Sequence, residues 1–160
     1  MLYLSNICVL TTILNKIAIF YFAVLNIKTV FKVAAGGIVI ASAFELLRRA
    51  STYDQLVRAI NTCVLPAGAK LVQITEGSVN LKVQVEHISA LEALWKLYED
   101  GTLKERLQQI FITDEVTELG GGQMEVIVTL DEQEYIKARK ELSMEAQRGD
   151  QRNFNSSIYS

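Results

Sequence analysis

The sequence is poor in residues that do chemistry. It has one histidine (His87), two widely separated cysteines (Cys8 and Cys63), and no CxxC or HExxH spacing. A structural zinc site needs about four clustered ligands, which this set does not supply. One cysteine pair at no motif spacing does not build a disulfide framework. Both are therefore read as reduced, apolar-like residues of an intracellular protein. No nucleophile–base set or cofactor fingerprint is present, so the expectation is a non-enzymatic chain with no cofactor and no metal. Internal repeats and long low-complexity tracts are also missing.

What is present is apolar residues in quantity. Half of the 160 residues are apolar, enough for the packed core of one domain of ordinary size. The formal net charge of −2 hides an asymmetry. Residues 1–50 carry five basic residues against the single acid Glu45, leaving the remainder of the chain acidic. An apolar basic head on an acidic body is not the footprint of a nucleic-acid binder. It suits a membrane-facing head, because anionic lipid attracts Lys and Arg.

Residues 7–27, ICVLTTILNKIAIFYFAVLNI, have the length of a membrane span, although Asn15 and Lys16 interrupt them. A second run at 33–44 is rich in Gly, Ala and Ser, as close helix packing in lipid favours. The expectation is a membrane-associated segment over 1–50, with contact through residues 7–47. Lys28, Lys32, Arg48 and Arg49 place the folded domain on the cytoplasmic side. A cleaved signal peptide is disfavoured by the lack of a charged start. A third reading makes 37–41, GIVIA, a buried strand of the fold.

After Arg49 the pattern becomes that of a folded domain. Thr52 and Gln55 have capping-box spacing, and Leu56, Ile60 and Cys63 continue a helix that Pro66 and Gly68 end. Val79, Leu81, Val83 and Val85 alternate with polar residues, and Glu76-Gly77-Ser78 supplies the turn of a hairpin from 70–75 to 79–86. Ser89 with Glu92 forms a capping box ahead of a helix bearing Leu91, Leu94, Trp95 and Tyr98. Asp100-Gly101 stops that helix, and Thr102 with Glu105 starts another carrying Leu103, Leu107, Ile110 and Phe111. Residues 113–122 read as an acidic, glycine-rich loop. Met124, Val126, Val128 and Leu130 mark a third strand. Asp131 with Glu134 caps a last helix whose Tyr135, Ala138 and Leu142 face inward. From 147 the chain reads as a disordered tail. Strands with one apolar face each predict an α+β two-layer sandwich, with an antiparallel sheet of three or four strands under helices. With 37–41 as a strand, the order becomes the split β-α-β plan of ferredoxin-like domains.

The runs KLVQI…SVNLKVQV, ALWKLYEDGTLKERLQQIF and MEVIVTL, with the break at Tyr98, Gly101 and Leu103, resemble the N-terminal domain family of the tumour-necrosis-factor-receptor-associated death-domain adaptor, TRADD, over residues 52–146. The resemblance implies an α–β sandwich that docks TRAF-type signalling proteins without catalysis of its own. The family's death domain is not expected among these residues, and the family's first strand would fall in the Gly-Ala-rich run. No partner-contact residue is carried over. The expected function is thus a membrane-tethered adaptor module of innate-immune or death-type signalling. The alternative is a soluble ferredoxin-like small-molecule-binding or regulatory domain.

Individual residues are read structurally. His87 is a turn residue rather than a base, and Trp95 is core rather than an interface anchor. Gly120-Gly121-Gly122 precedes a strand, which excludes a phosphate cradle. Glu99, Asp100, Asp114, Glu115 and Glu118 form a solvated acidic rim, and Lys104 and Arg106 make exposed pairs.

Overall fold

The computed structural model describes residues 22–35, 40, 42–76 and 79–158, with side chains to 150. Strand β1 spans Ala23–Val33. Helices α1 (Ala43–Ala50) and α2 (Tyr53–Ala59) follow, α2 widening into a π turn at Ile60–Val64. Strands β2 (Ala69–Thr75) and β3 (Asn80–Val85) form the hairpin. Helices α3 (Ile88–Glu99), α4 (Thr102–Phe111) and α5 (Asp114–Gly120) lead to β4 (Met124–Leu130) and to α6 (Glu132–Ile158).

The four strands make one sheet in the order β2-β3-β1-β4, with every neighbour antiparallel. Two β-α-β units are interleaved, which is the split plan of ferredoxin-like folds. The α+β class with an antiparallel sheet is as the sequence predicts, and of the three or four strands expected the sheet has four. The first strand, however, is 23–33. Most of 37–41 lies outside the described residues; Ile40 donates its N–H to the Phe31 carbonyl at 2.8 Å.

This corrects the reading of the head. β1 sits in the centre of the sheet, paired from Ala23↔Val85 to Lys28↔Asn80 on one side and from Ile27↔Leu130 to Val33↔Met124 on the other. A lipid-spanning segment could not share these hydrogen bonds with two further strands. Helix α1 adds Ala43, Phe44, Leu46 and Leu47 to the same core. The folded body therefore includes residues expected in a membrane segment, and a boundary at 50/51 cuts through it. Of the run 7–27, residues 7–21 lie outside the described residues. Among the described residues, no helix is long and apolar enough to cross a membrane.

Alternation builds the core. On β1 the odd residues Leu25, Ile27, Thr29 and Phe31 are fully buried, and the even ones point outward. Leu81, Val83 and Val85 of β3 and Met124, Val126 and Leu130 of β4 continue that inner face. Leu91 and Leu94 of α3, Leu103, Leu107 and Phe111 of α4, and Ala138 and Leu142 of α6 belong to the same core. Each fully buried Leu or Phe contributes roughly 1.5–3 kcal/mol. The Phe31 and Phe111 rings meet at 5.6 Å. Thr29 is the one buried polar residue among those described, and its hydroxyl donates to the Val79 carbonyl at 2.5 Å.

Several local expectations change. The capping box at Thr52 and Gln55 forms in both directions. The cap of α3 is His87, not Ser89: its Nδ1 accepts from the Ala90 N–H at 3.2 Å. Gly101 takes φ +83, the left-handed conformation expected, and is itself the N-cap of the next helix in place of Thr102, while Asp100 Oδ1 just before it accepts from Thr102 N–H. The expected loop at 113–122 contains α5, because Thr113 accepts from Val116 N–H and Val116 buries against the core. The expected tail is helix to Ile158.

Candidate interaction surface

A sheet can offer a partner its edges or its face. The edges here are closed by side chains. β4 is an outer strand, and Gln108 of α4 lies along it. The Gln108 carbonyl accepts from Val126 N–H at 2.7 Å, and its amide donates to Met124 C=O at 2.8 Å. One side chain thus mimics a neighbouring strand. On β2, the opposite outer strand, Asn61 Oδ1 accepts from Leu71 N–H at 2.7 Å and the Tyr53 hydroxyl from Ile74 N–H at 3.3 Å. β1 outruns β4 at its start, and there Glu134 of α6 accepts from the Asn26 backbone N–H at 2.9 Å and side-chain amide at 3.1 Å. Capped edge groups of this kind block the addition of a foreign strand.

Among the described residues, no element covers the outer face. Its rows follow from the register: Lys32 beside Glu125, Val30 beside Ile127, Lys28 between Thr129 and Asn80, Asn26 beside Lys82, and Val24 beside Gln84. Gln73 and Lys70 of β2 extend the last two rows. Lys28, Lys70 and Lys82 are exposed, with Lys32 half-buried. The only acid in these rows, Glu125, is bound by Lys104 of α4. That hydrogen bond and ion pair, aided by the charge of Lys32, hold the Glu125 carboxyl below the usual carboxylate range. Apolar side chains stand between the lysines: Val24 and Ile127 are each 39% exposed and Val72 is 52% exposed. A basic surface with apolar islands fits a protein partner bearing acids and apolar groups. It carries no aromatic platform of the kind that stacks nucleic-acid bases.

The residues singled out from sequence are scattered. Trp95 is half-buried and stacks on Tyr135 at 4.4 Å, with Tyr98 at 5.3 Å, joining α3 to α6. His87 caps α3, receives the Ser89 hydroxyl at 2.7 Å, and lines a groove of about 490 Å³ with Leu142 and Glu145. Gly120 ends α5 and Gly121 takes φ +81. Asp114, Glu115 and Glu118 are exposed on α5. Arg106 is not in an exposed pair; it donates to the Val64 carbonyl at 3.1 Å. Lys28 and Lys32, read as lipid-flanking charges, stand on the sheet face. Arg48 lies over the Phe44 ring at 6.0 Å. Cys63 is exposed in the π turn, and Cys8 lies outside the described residues. Among the described residues, no three His, Cys, Asp or Glu side chains are grouped to hold a metal. The sheet face was missed because half of it comes from β1. Its signal was the Asn26, Lys28, Lys32 alternation within an apolar run.

Comparison with known proteins reaches part of the chain. Residues 50–116 match the model of the TRADD-like N-terminal domain. That match spans α2 to α4 with the β2–β3 hairpin and leaves β1 and β4 outside it. The chain is also similar to the death effector domain-containing protein of Homo sapiens, and to those of Mus musculus and Rattus norvegicus. Each is 31% identical over 67 residues, which are 41% of this chain. The chain covers 21% of the length of each of these relatives. No solved structure matches it. The segment 50–116 is thus similar to TRADD-like N-terminal domains, within a sheet that reaches beyond it on both sides.

Proposed function

We propose that the chain is a non-enzymatic adaptor module of death-type signalling that docks a protein partner on the open face of its sheet. The match of residues 50–116 to the TRADD-like N-terminal domain supports the class, and the names of the relatives point the same way. The observation that carries the choice of surface is the contrast between capped edges and an uncovered, lysine-bearing face. The partner is a TRAF-type signalling protein, as the resemblance implies, meeting the face with acidic and apolar groups. Neighbouring lysines steer such a partner and raise its on-rate. Titration of a purified TRAF-type domain into the chain tests this. The double substitution K28E/K82E should weaken binding at least tenfold while the melting temperature holds. Unaltered binding overturns the surface, and no binding by the wild type overturns the partner.

A membrane location, with the folded body facing the cytoplasm, is a separate proposal resting on residues 7–21 alone. Release of the chain by alkaline carbonate contradicts it. The split β-α-β order favours the architecture of the alternative, a regulatory small-molecule-binding domain. Its ligand would use the groove beside His87 and Leu142, and thermal-shift screening of metabolites against the chain tests that reading.

A further inference from the structure

We propose that a second copy of this chain is an occupant of the open sheet face, seating its acidic helix α5 there in a head-to-tail contact. The inference rests on the reading of that face as a docking surface and adds the chain itself as a partner.

Charge is distributed by layer. The sheet face carries Lys28, Lys32, Lys70 and Lys82 with Glu125 as its only acid. The helical stretch 88–120 carries seven acidic residues against Lys96, Lys104 and Arg106. Two of those three cations are engaged elsewhere, Lys104 with Glu125 and Arg106 with the Val64 carbonyl. The sheet face is therefore positive and the stretch 88–120 negative, although Arg139 of α6 already pairs with Glu92 and Arg49 of α1 lies beside Leu119. A face-to-face pairing of two sheets would set lysine against lysine. A sheet-to-helix contact sets opposite charges together, so the favoured self-contact is heterologous. Such a contact leaves one free face at each end and propagates unless it closes into a ring.

The spacing also fits. Asp114 and Glu118 are one turn apart on α5, about 5–6 Å. Lys28 and Lys82 are diagonal neighbours on paired strands, about 7 Å apart. Beside Glu118, Leu119 is 45% exposed although apolar. Beside Lys28, Val30 pairs with the exposed Ile127. An acid pair with an adjacent apolar side chain thus faces a lysine pair with an adjacent apolar row. The capped edges exclude the usual competing route to self-association, strand addition.

Sedimentation velocity and light scattering of the full chain test this. At low salt the mass of the wild type should rise with concentration past that of a dimer. At salt near 1 M, where the Debye length is about 3 Å, it should fall to that of a monomer. K28E/K82E and D114K/E118K should each remain monomeric, with far-UV circular dichroism and melting unchanged. Their mixture should assemble again past a 1:1 complex, because each reversed face of one variant meets its opposite charge on the other. The chain carrying all four substitutions should assemble again. A wild type that stays monomeric at low salt overturns the inference, as does assembly that survives both double variants or a mixture that forms no complex. If the wild type is monomeric while K28E/K82E loses its TRAF-type partner, the docking surface stands and self-docking alone fails. If neither depends on Lys28 and Lys82, both fail.

Discussion

Gly101 has open space where a side chain would begin, yet it cannot be replaced freely. Nothing lies within 4 Å of a Cβ built there, so the constraint is its φ of +83 alone. Gly101→Val should destabilise the chain by roughly 2 kcal/mol, since the left-handed conformation costs an ordinary residue about 1–2 and a β-branched one more. A melting temperature unchanged by the substitution would show that the backbone does not turn there as described. His87 makes a second residue-scale case. As the N-cap of α3 it should lose about 1 kcal/mol on replacement by Ala and recover most of it as Asn, read from chemical denaturation. The acids give the pH dependence. Hydrogen bonds from the Thr102 side chain and backbone hold Asp100 below its ordinary value, as the Lys104 contact does for Glu125. Both pKa values are lower folded than unfolded, so their contribution is complete above the unfolded carboxylate range. It fades as pH falls through the folded values. Lys104→Met should move the Glu125 titration, followed by NMR, up toward the ordinary range. The Asp100 titration should stay in place.

At the scale of elements, closure of the edges depends on single side chains. Gln108→Leu keeps the bulk of the residue but leaves Val126 N–H and Met124 C=O without their partner. It should destabilise by about 1–3 kcal/mol and speed amide exchange at Val126 in particular. Equal exchange in both proteins would mean that Gln108 does not cap β4. Elements governed by local signals were legible. The α3–α4 break is written in Asp100 and Gly101, the hairpin in its alternation, and β4 in Met124 to Leu130. Elements governed by tertiary context were not. β1 alternates Leu25, Asn26, Ile27, Lys28, but its beginning merges with an apolar stretch that a membrane window captures first. α5 is short, acidic and ended by glycines, so its propensity is weak, and burial of Val116 decides its state. The far part of α6 is polar, which hid its continuation as helix to Ile158. The candidate surface was illegible for the same reason as β1, because a face exists only once strands 23–33 and 80–85 are known to pair.

The described residues form a two-layer body with side-chain caps on its sheet edges and a lysine-bearing face set against an acidic helical stretch. Neither feature requires a catalytic group, and both concern what another protein would meet. Its association, with a partner or with itself, should therefore weaken steeply with salt, a screening that leaves the buried apolar core little affected. The most direct test of the account is the acetylation rate of each lysine, followed by mass spectrometry in the free chain and with a TRAF-type domain bound. Lys28, Lys70 and Lys82 should slow together, while Lys96, Lys137 and Lys140 on the helices react as before. Protection of the helical lysines, with those of the sheet unchanged, would contradict the assignment of the open face as the docking surface.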